Sequence, residues 1–438
     1  MQSEIVIVGG GAGGLELACK LGRKLGPSKV MLVDSRLYHI WKPSLHEVAA
    51  GTLDIHQEGL SYQMLAHDNG FTFVYGPMTA LDAGGHRLTV GAVRASDGED
   101  VLHERTISYS SLVIAVGSTA NYFGVPGARE NTISLNVTED AERFRLRLLR
   151  LMAQAEQARA ERADATGDDE AALDIVIIGG GATGVELAAE LREASSVYAT
   201  YGFSRLQVQR DMRITLLEGA PRVLAPLPER VSSAALKLLN ERGIHVVTDC
   251  RVTNIGPDAV TDNEGNVYPA NLCVWAAGIR APEFLGTLGL PTTRGGQIEV
   301  DAHLRVPGVP DVYALGDCAA CTDGLGKPVP PRAQAAHQQA DYLLKGFARR
   351  SAGKAWLDKP YVYKDYGSLV SLGKTTSVGN LMGSLRGSSW FVEGMMARLM
   401  YTSLHLMHHQ AVLGSMRTGL LALARFLIRR TTPLVKLH

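Results

Sequence analysis

One pattern occurs twice in this chain and restricts its fold more than any other feature. A short β-branched apolar run, Glu4-Ile5-Val6-Ile7-Val8, leads into Gly9-Gly10-Gly11-Ala12-Gly13-Gly14. A helical pattern (Leu15, Leu17, Ala18, Leu21) and a second apolar run ending in Asp34 follow. The same succession begins again 170 residues later, with Asp174-Ile175-Val176-Ile177-Ile178 before Gly179-Gly180-Gly181-Ala182-Thr183-Gly184 and the run Arg213–Leu217 before Glu218. Strand, glycine turn, helix and strand make a βαβ unit, which requires a parallel sheet. The spacing is too long for a solenoid. Two copies of a nucleotide-binding domain are expected, and 438 residues leave room for about three domains. With 46% hydrophobic and 20% charged residues, a large packed core is expected and general disorder is not.

Each turn carries GxGxxG in the context that gives the motif meaning. The first glycine permits the tight turn, the second lets backbone N–H groups approach a pyrophosphate, and the third allows helix and strand to pack closely. The helix N-terminus adds positive potential. Asp34 stands 20 residues beyond Gly14, where an acid reads a ribose. Glu218 stands 34 residues beyond Gly184 and still closes its strand, so a longer helix or loop intervenes. A carboxylate there repels a 2′-phosphate, which favours NADH over NADPH. Two fingerprints imply two dinucleotides, one held and one exchanging, as a flavin reductase requires. Three further glycine turns follow apolar runs: Ala115-Val116-Gly117, Ala276-Ala277-Gly278 and Leu315-Gly316-Asp317, the last a second marker for FAD.

The 44 basic and 44 acidic side chains cancel, which argues against a nucleic-acid binder. The balance conceals an asymmetry: from Leu385 to His438 there are seven basic side chains and one acid, Glu393. Two amphipathic patterns run over about Trp390–His408 and Gln410–Arg430, neither with a long enough uninterrupted apolar run to span a bilayer. A basic tail rich in Met and Leu (Met395, Met396, Met400, Met407) is expected to lie on an anionic lipid surface. Residues 141–169 read as a helix passing into an exposed linker. The first strand starts too early for a signal peptide, so a reducing, cytoplasmic compartment is expected. Cys318 and Cys321 form a CxxC, read as two small residues at a helix start; Cys19, Cys250 and Cys273 show no partner spacing, and no metal site is expected.

With these motifs in place, the chain resembles the pyridine-nucleotide:disulfide oxidoreductases of the two-Rossmann, glutathione-reductase type. Within them, three stretches are similar to type II NADH:quinone oxidoreductases: Pro43–Leu53 (PSLHEVAAGTL), Val274–Ile279 (VWAAGI) and Ala333–Gln339 (AQAAHQQ), the last resembling the family's AQxAxQQ quinone motif. Ala340 departs from the glycine that often follows that motif, and Val116 from the usual Thr of ATG. A disulfide reductase would carry a redox pair near Trp41–Glu47, where no cysteine stands.

The resemblance implies an α/β fold with two Rossmann-type dinucleotide-binding domains and a C-terminal amphipathic helical membrane-anchoring region. Its expected division is an FAD-binding part over 1–125, a connecting helix and linker over 126–172, an NADH-binding domain over 173–285, a second FAD-binding part over 286–350 and a membrane-associating region over 351–438. It implies FAD contacts from Gly9, Gly11, Ala12, Gly13, Gly14, Asp34, Ser35, Gly117, Gly316, Asp317, Ala333 and Gln334. NADH contacts fall to Gly179, Gly181, Thr183, Gly184, Glu186, Glu218, Ala277 and Gly278. Glu186 would orient substrate or assist proton delivery. Gln334 and Gln338 share a helical face and would donate to a quinone carbonyl, as uncharged amides can in an apolar pocket. The implied activity is non-proton-pumping NADH:quinone oxidoreduction by a peripheral homodimer on the cytoplasmic face of the cell membrane. The alternatives are a sulfide:quinone reductase or an NAD(P)H reductase with a protein acceptor, and a non-enzymatic NADH/FAD sensor.

Overall fold

The computed structural model describes residues 1–95, 97–161, 173–373, 377–382, 389–428 and 435–436. The end of the linker expected after the helix over 141–169 lies outside these residues.

The first βαβ unit forms strand Gln2–Val8, helix Ala12–Leu25 and strand Val30–Asp34. These two strands pair in parallel, and Thr72–Tyr75 extends the sheet beyond the second. On the other side lies Arg105–Ile114, the longest strand, and it forks. Its final residues, Leu112–Ile114, pair in parallel with Val312–Ala314, while its early residues pair antiparallel with Arg87–Val90. The late strand therefore carries Gly316 and Asp317 to the sheet edge that already bears Gly9–Gly14. Leu15, Leu17, Ala18 and Leu21 are fully buried against this sheet. Each of the three leucines contributes roughly 1.5–3 kcal/mol by leaving water.

The second unit, Leu173–Ile178, Ala182–Gly202 and Met212–Leu217, builds a five-stranded parallel sheet with Leu272–Trp275, Ile244–Val247 and Ile133–Ser134. Thus the stretch expected only to connect the units also supplies an edge strand to the second sheet. Two residues suffice because Ile133 and Ser134 pair only with Val274 and Trp275. The longer spacing to Glu218 arises from the 21-residue helix Ala182–Gly202 and a short added helix, Val208–Asp211; the first unit's helix has 14 residues. Helix Thr138–Glu161 packs Phe144, Leu148 and Met152 into the second core.

The two units are tied directly beyond their glycine turns. Thr119–Ala120, just past Gly117, pairs antiparallel with Ile279–Arg280, just past Gly278. Helix Ala333–Ser351 then packs on helix Ala12–Leu25, with Ala336, Ala340 and Leu343 buried in the first core.

Three antiparallel strands, Gly367–Ser371, Ser377–Met382 and Ser389–Glu393, precede two tail helices, Gly394–Leu413 and Ser415–Ile428. The expected tail boundaries shift: a strand replaces the start of the first helix, and the break falls at Gly414, whose φ of +80° ends the helix. The tail is docked on the body by Arg23 Nη2 donating to Ala411 O (2.9 Å) and by ion pairs of Arg417 with Asp68 and Arg425 with Glu58. Its other side exposes Met395, Met396, Leu399, Met407, Met416, Leu420, Leu423 and Leu427. Among the described residues no helix is long and apolar enough to cross a membrane.

Candidate functional site

The two glycine turns have the same physical construction. Gly9 and Gly179 have φ of +103° and +110°, and a Cβ on either would lie within 2.6 Å of the neighbouring turn, at Ala115 O or Ala276 C. A Cβ on Gly14 or Gly184 would run into the carbonyl of Gly9 or Gly179. The protein itself therefore requires these four glycines. Gly11 and Gly181 differ: their φ of −66° and −73° suits any residue. A Cβ on Gly11 would meet only Ala115 O at 4.0 Å, and one on Gly181 nothing within 4 Å. Among the described residues no contact accounts for a missing side chain there. Each of these glycines also N-caps its helix without a side-chain hydrogen bond and with no acid in the first turn. Amides left uncapped beside a space kept open by glycine form a cradle that fits a dinucleotide pyrophosphate.

The acids are held alike. Asp34 accepts from Gly10 N (2.6 Å) and Arg36 N (2.8 Å); Glu218 accepts from Gly180 N and from Ala220 N (2.7 Å). Burial raises the Asp34 carboxyl, and the two amides oppose that shift. Ala12 opens the first helix, Ser35 follows Asp34, and Ala277 and Gly278 lie in the turn after strand Leu272–Trp275, the last with φ of +114°.

The third glycine turn closes over the first fingerprint. A Cβ on Gly13 would stand 2.7 Å from Leu315 and 2.9 Å from Ala336 O, so the late strand and the Ala333–Ser351 helix need glycine there. At the equivalent place in the second unit, Ala182 and Thr183 are exposed. Asp317 accepts from Ser118 Oγ (2.8 Å), next to Gly117, and Lys42 Nζ donates to Ser118 O (3.0 Å). Gly316 N donates to Gln339 Oε1 (2.7 Å), and Tyr62 Oη donates to Gly10 O (2.7 Å). Lys42, Ser118 and Tyr62 are not singled out by the sequence, and Gln339 closes the AQAAHQQ stretch without a role assigned there. The first three lie at spacings that no short motif links.

Glu186 lies on helix Ala182–Gly202, buried, where strand Gly367–Ser371 and helix Leu45–Ala50 meet. Its Oε1 accepts from Ser371 N (2.9 Å), and His46 Nδ1 stands 3.6 Å from Oε2. Burial raises its pKa to about 7; His46 and the Ser371 amide pull it down, and Glu47 and Glu190 push it up. His46 belongs to the stretch Pro43–Leu53, so that stretch crosses from the first unit to the second unit's acid.

Ala333 opens its helix, and Gln334 and Gln338 share a face as expected, but their amides are engaged with backbone. Gln334 donates to Gly367 O (3.3 Å) and accepts from Tyr366 N (2.8 Å). Gln338 donates to Lys364 O (2.8 Å) and accepts from Lys364 N (3.0 Å). Both clamp the segment 364–367, so a quinone carbonyl would have to compete for them. Cys318 and Cys321 are buried thiols pushed up to about 11, far from the thiolate state of a redox pair.

Comparison with known proteins agrees with this geometry. The pyridine nucleotide-disulphide oxidoreductase family model matches residues 3–340. A type II NADH:quinone oxidoreductase from Haemophilus influenzae is 38% identical over the whole of both chains. A mitochondrial internal alternative NAD(P)H-ubiquinone oxidoreductase from Arabidopsis thaliana is 29% identical, over 92% of this chain and 80% of its own. Among solved structures, NDH2 from Plasmodium falciparum in complex with NADH has a TM-score of 0.80 at 18% identity, with both chains fully covered. The sulfide:quinone oxidoreductase of Aquifex aeolicus has a TM-score of 0.71 at 18% identity, over 94% of this chain and 92% of that one.

Proposed function

This chain belongs to the pyridine nucleotide-disulphide oxidoreductase family and, within it, to the type II NADH:quinone oxidoreductases, and from that premise we propose how its residues divide the work of an FAD-dependent NADH:quinone oxidoreductase. When bound, FAD supplies the chemistry, taking hydride from NADH and passing two electrons to a quinone.

The observation that carries the division of roles is the contrast between Gly13, sealed by Leu315 and Ala336, and the exposed Ala182 and Thr183. A sealed turn suits a cofactor that stays, and an open turn suits one that exchanges. The first turn, with Asp34, Ser35, Gly117, Gly316 and Asp317, holds FAD. The second, with Gly179, Gly181, Gly184 and Glu218, binds NADH, and Glu218 turns away a 2′-phosphate. Ala277 and Gly278 let backbone pass close to the nicotinamide half. Glu186, held near neutrality, keeps or yields a proton at ordinary pH beside the 367–371 strand. Gln334 and Gln338 border the quinone site and position its wall through the 364–367 backbone.

The exposed Met and Leu row of the tail is the surface that meets membrane lipid, assisted by the excess of basic side chains. This reading includes a peripheral homodimer at the cytoplasmic face. Binding to anionic vesicles that is lost in a Met396→Ser, Leu423→Ser variant supports the lipid surface; unchanged binding removes it.

Anaerobic stopped-flow absorbance tests the electron path. NADH should bleach the flavin band of the yellow protein, and a short-chain quinone should restore it quickly. Bleaching without recovery would discard the quinone site and point to a thiol or protein acceptor.

A further inference from the structure

Behind the first fingerprint, imidazoles from three remote parts of the chain converge. His39 follows the second strand, His337 lies in the Ala333–Ser351 helix, and His408 lies in the first tail helix. His39 Nδ1 is 2.9 Å from Gly10 O, and its Nε2 is 2.8 Å from His408 Nε2. A carbonyl only accepts, so Nδ1 of His39 carries the hydrogen and its Nε2, in the neutral ring, is an acceptor. His408 Nε2 must then donate, which leaves its Nδ1 as a bare lone pair. His408 is only 2% exposed, and among the described residues that nitrogen has no hydrogen-bond partner. A buried acceptor without a donor is costly, and a cation is one way to satisfy it.

The other two groups complete a donor set. His337 Nδ1 contacts Glu16 Oε2, while Lys20 takes the other oxygen, Oε1, and also pairs with Asp341 at 2.7 Å. One ligand atom each from Glu16, His337 and His408 lies within 4.8 Å of the others. Ligands bound to zinc at about 2.0–2.2 Å stand roughly 3.3 Å apart in a tetrahedron, so the trio needs only side-chain adjustment to close. The His337 side chain is 26% exposed, which leaves a path for entry.

We propose that Glu16, His337 and His408 bind one divalent cation of the zinc class, pinning the first tail helix to the fingerprint helix and to the Ala333–Ser351 helix. Two imidazoles and a carboxylate match the preference of such ions for mixed nitrogen and oxygen donors. A second trio nearby supplies a contrast. Glu58, His405 and His409 lie equally close together, but the Arg425 guanidinium pairs with Glu58 and stands 3.3 Å from both His405 Nε2 and His409 Nε2. That place already holds a permanent cation. In the first trio Lys20 pairs with Glu16 Oε1, the oxygen that His337 does not contact.

Cobalt(II) chloride added to the flavin-loaded enzyme, first stripped with a chelator, tests the site. The expected result is ligand-field absorption to the red of the flavin band that saturates at one cobalt per chain and disappears on adding zinc. His337→Gln, at a partly exposed position that tolerates an amide, should weaken uptake at least tenfold with flavin content unchanged. His405→Gln should leave uptake as it was. Absence of ligand-field bands, or uptake indifferent to His337→Gln, overturns the proposal.

Discussion

The two nucleotide-binding units start from the same local instructions and end differently. Both have a positive-φ first glycine pressed on a neighbouring turn, an open second glycine, and an acid held by two backbone amides. They diverge at the fourth residue of the turn counted from the first glycine's successor: Gly13 in one, Thr183 in the other. Gly13 is covered because strand Val312–Ala314 joins the first sheet and delivers Leu315, and because the Ala333–Ser351 helix packs above it. The second sheet has a strand in the corresponding place, Ile133–Ser134 beside Val274–Trp275, but Thr183 stays exposed. The covering of Gly13 thus comes from chain segments outside the βαβ unit, Leu315 and the Ala333–Ser351 helix.

The sharpest way to break this comparison is Gly13→Val set against Thr183→Val. The first forces side-chain atoms into Leu315 and Ala336 O, an overpacking of about 1–3 kcal/mol or more on top of a spoiled cradle. The expected outcome is a protein with at least tenfold less flavin per chain, read from the ratio of flavin to protein absorbance. Thr183→Val should retain its flavin and change the KM for NADH a few-fold at most. Equal flavin loss in both variants would dissolve the distinction.

Glu218 offers the next test. Replacing it with Ser removes the charge that opposes a 2′-phosphate, and the preference for NADH over NADPH in kcat/KM should fall about tenfold or more, worth about 1.4 kcal/mol. Asp34→Ser should leave that preference unchanged if, as proposed, the first unit holds FAD rather than the exchanging nucleotide.

Glu186 tests the contact between units. Its carboxyl sits at about 7 in the fold against 4.5 ordinarily, so the folded chain keeps the proton more tightly than the unfolded one. Stability should therefore decline as pH rises from about 4.5 through about 7, and the loss is complete above that window. Glu186→Gln can still accept from Ser371 N, and it should flatten the decline by about 1–3 kcal/mol, measured from unfolding midpoints on either side of the window. The smallest effect is expected from Gln338→Ala, which frees Lys364 from its clamp at a cost of about 1 kcal/mol in an exposed place.

Much of the fold was legible because its signals are local. Apolar runs such as Ile5–Val8 and Ile175–Ile178, glycines at fixed offsets and an acid closing the next strand all lie within a few dozen residues, and each reads out one backbone requirement. The tail helices are visible in their periodicity, but it puts their break near His409 rather than at Gly414, because Gly414 has no more distinctive sequence setting than other glycines in the chain. The amides of Gln334 and Gln338 were read as quinone donors from their spacing and family motif. Their engagement by residues 364–367 depends on how a later segment returns over the helix. Lys42 beside Ser118 and Asp317, and His46 beside Glu186, join residues far apart in sequence, and no spacing rule connects them.

By itself, then, the amino-acid sequence determined two βαβ units, their glycine cradles and the acids that close them, because each rests on short-range backbone geometry and strand or helix periodicity. Only the tertiary structure decided which cradle is sealed, what Glu186 touches, and that His39, His337 and His408 meet beside Glu16. Those outcomes depend on where distant segments pack, and packing is settled by the burial of whole faces rather than by any one residue's neighbours in the chain.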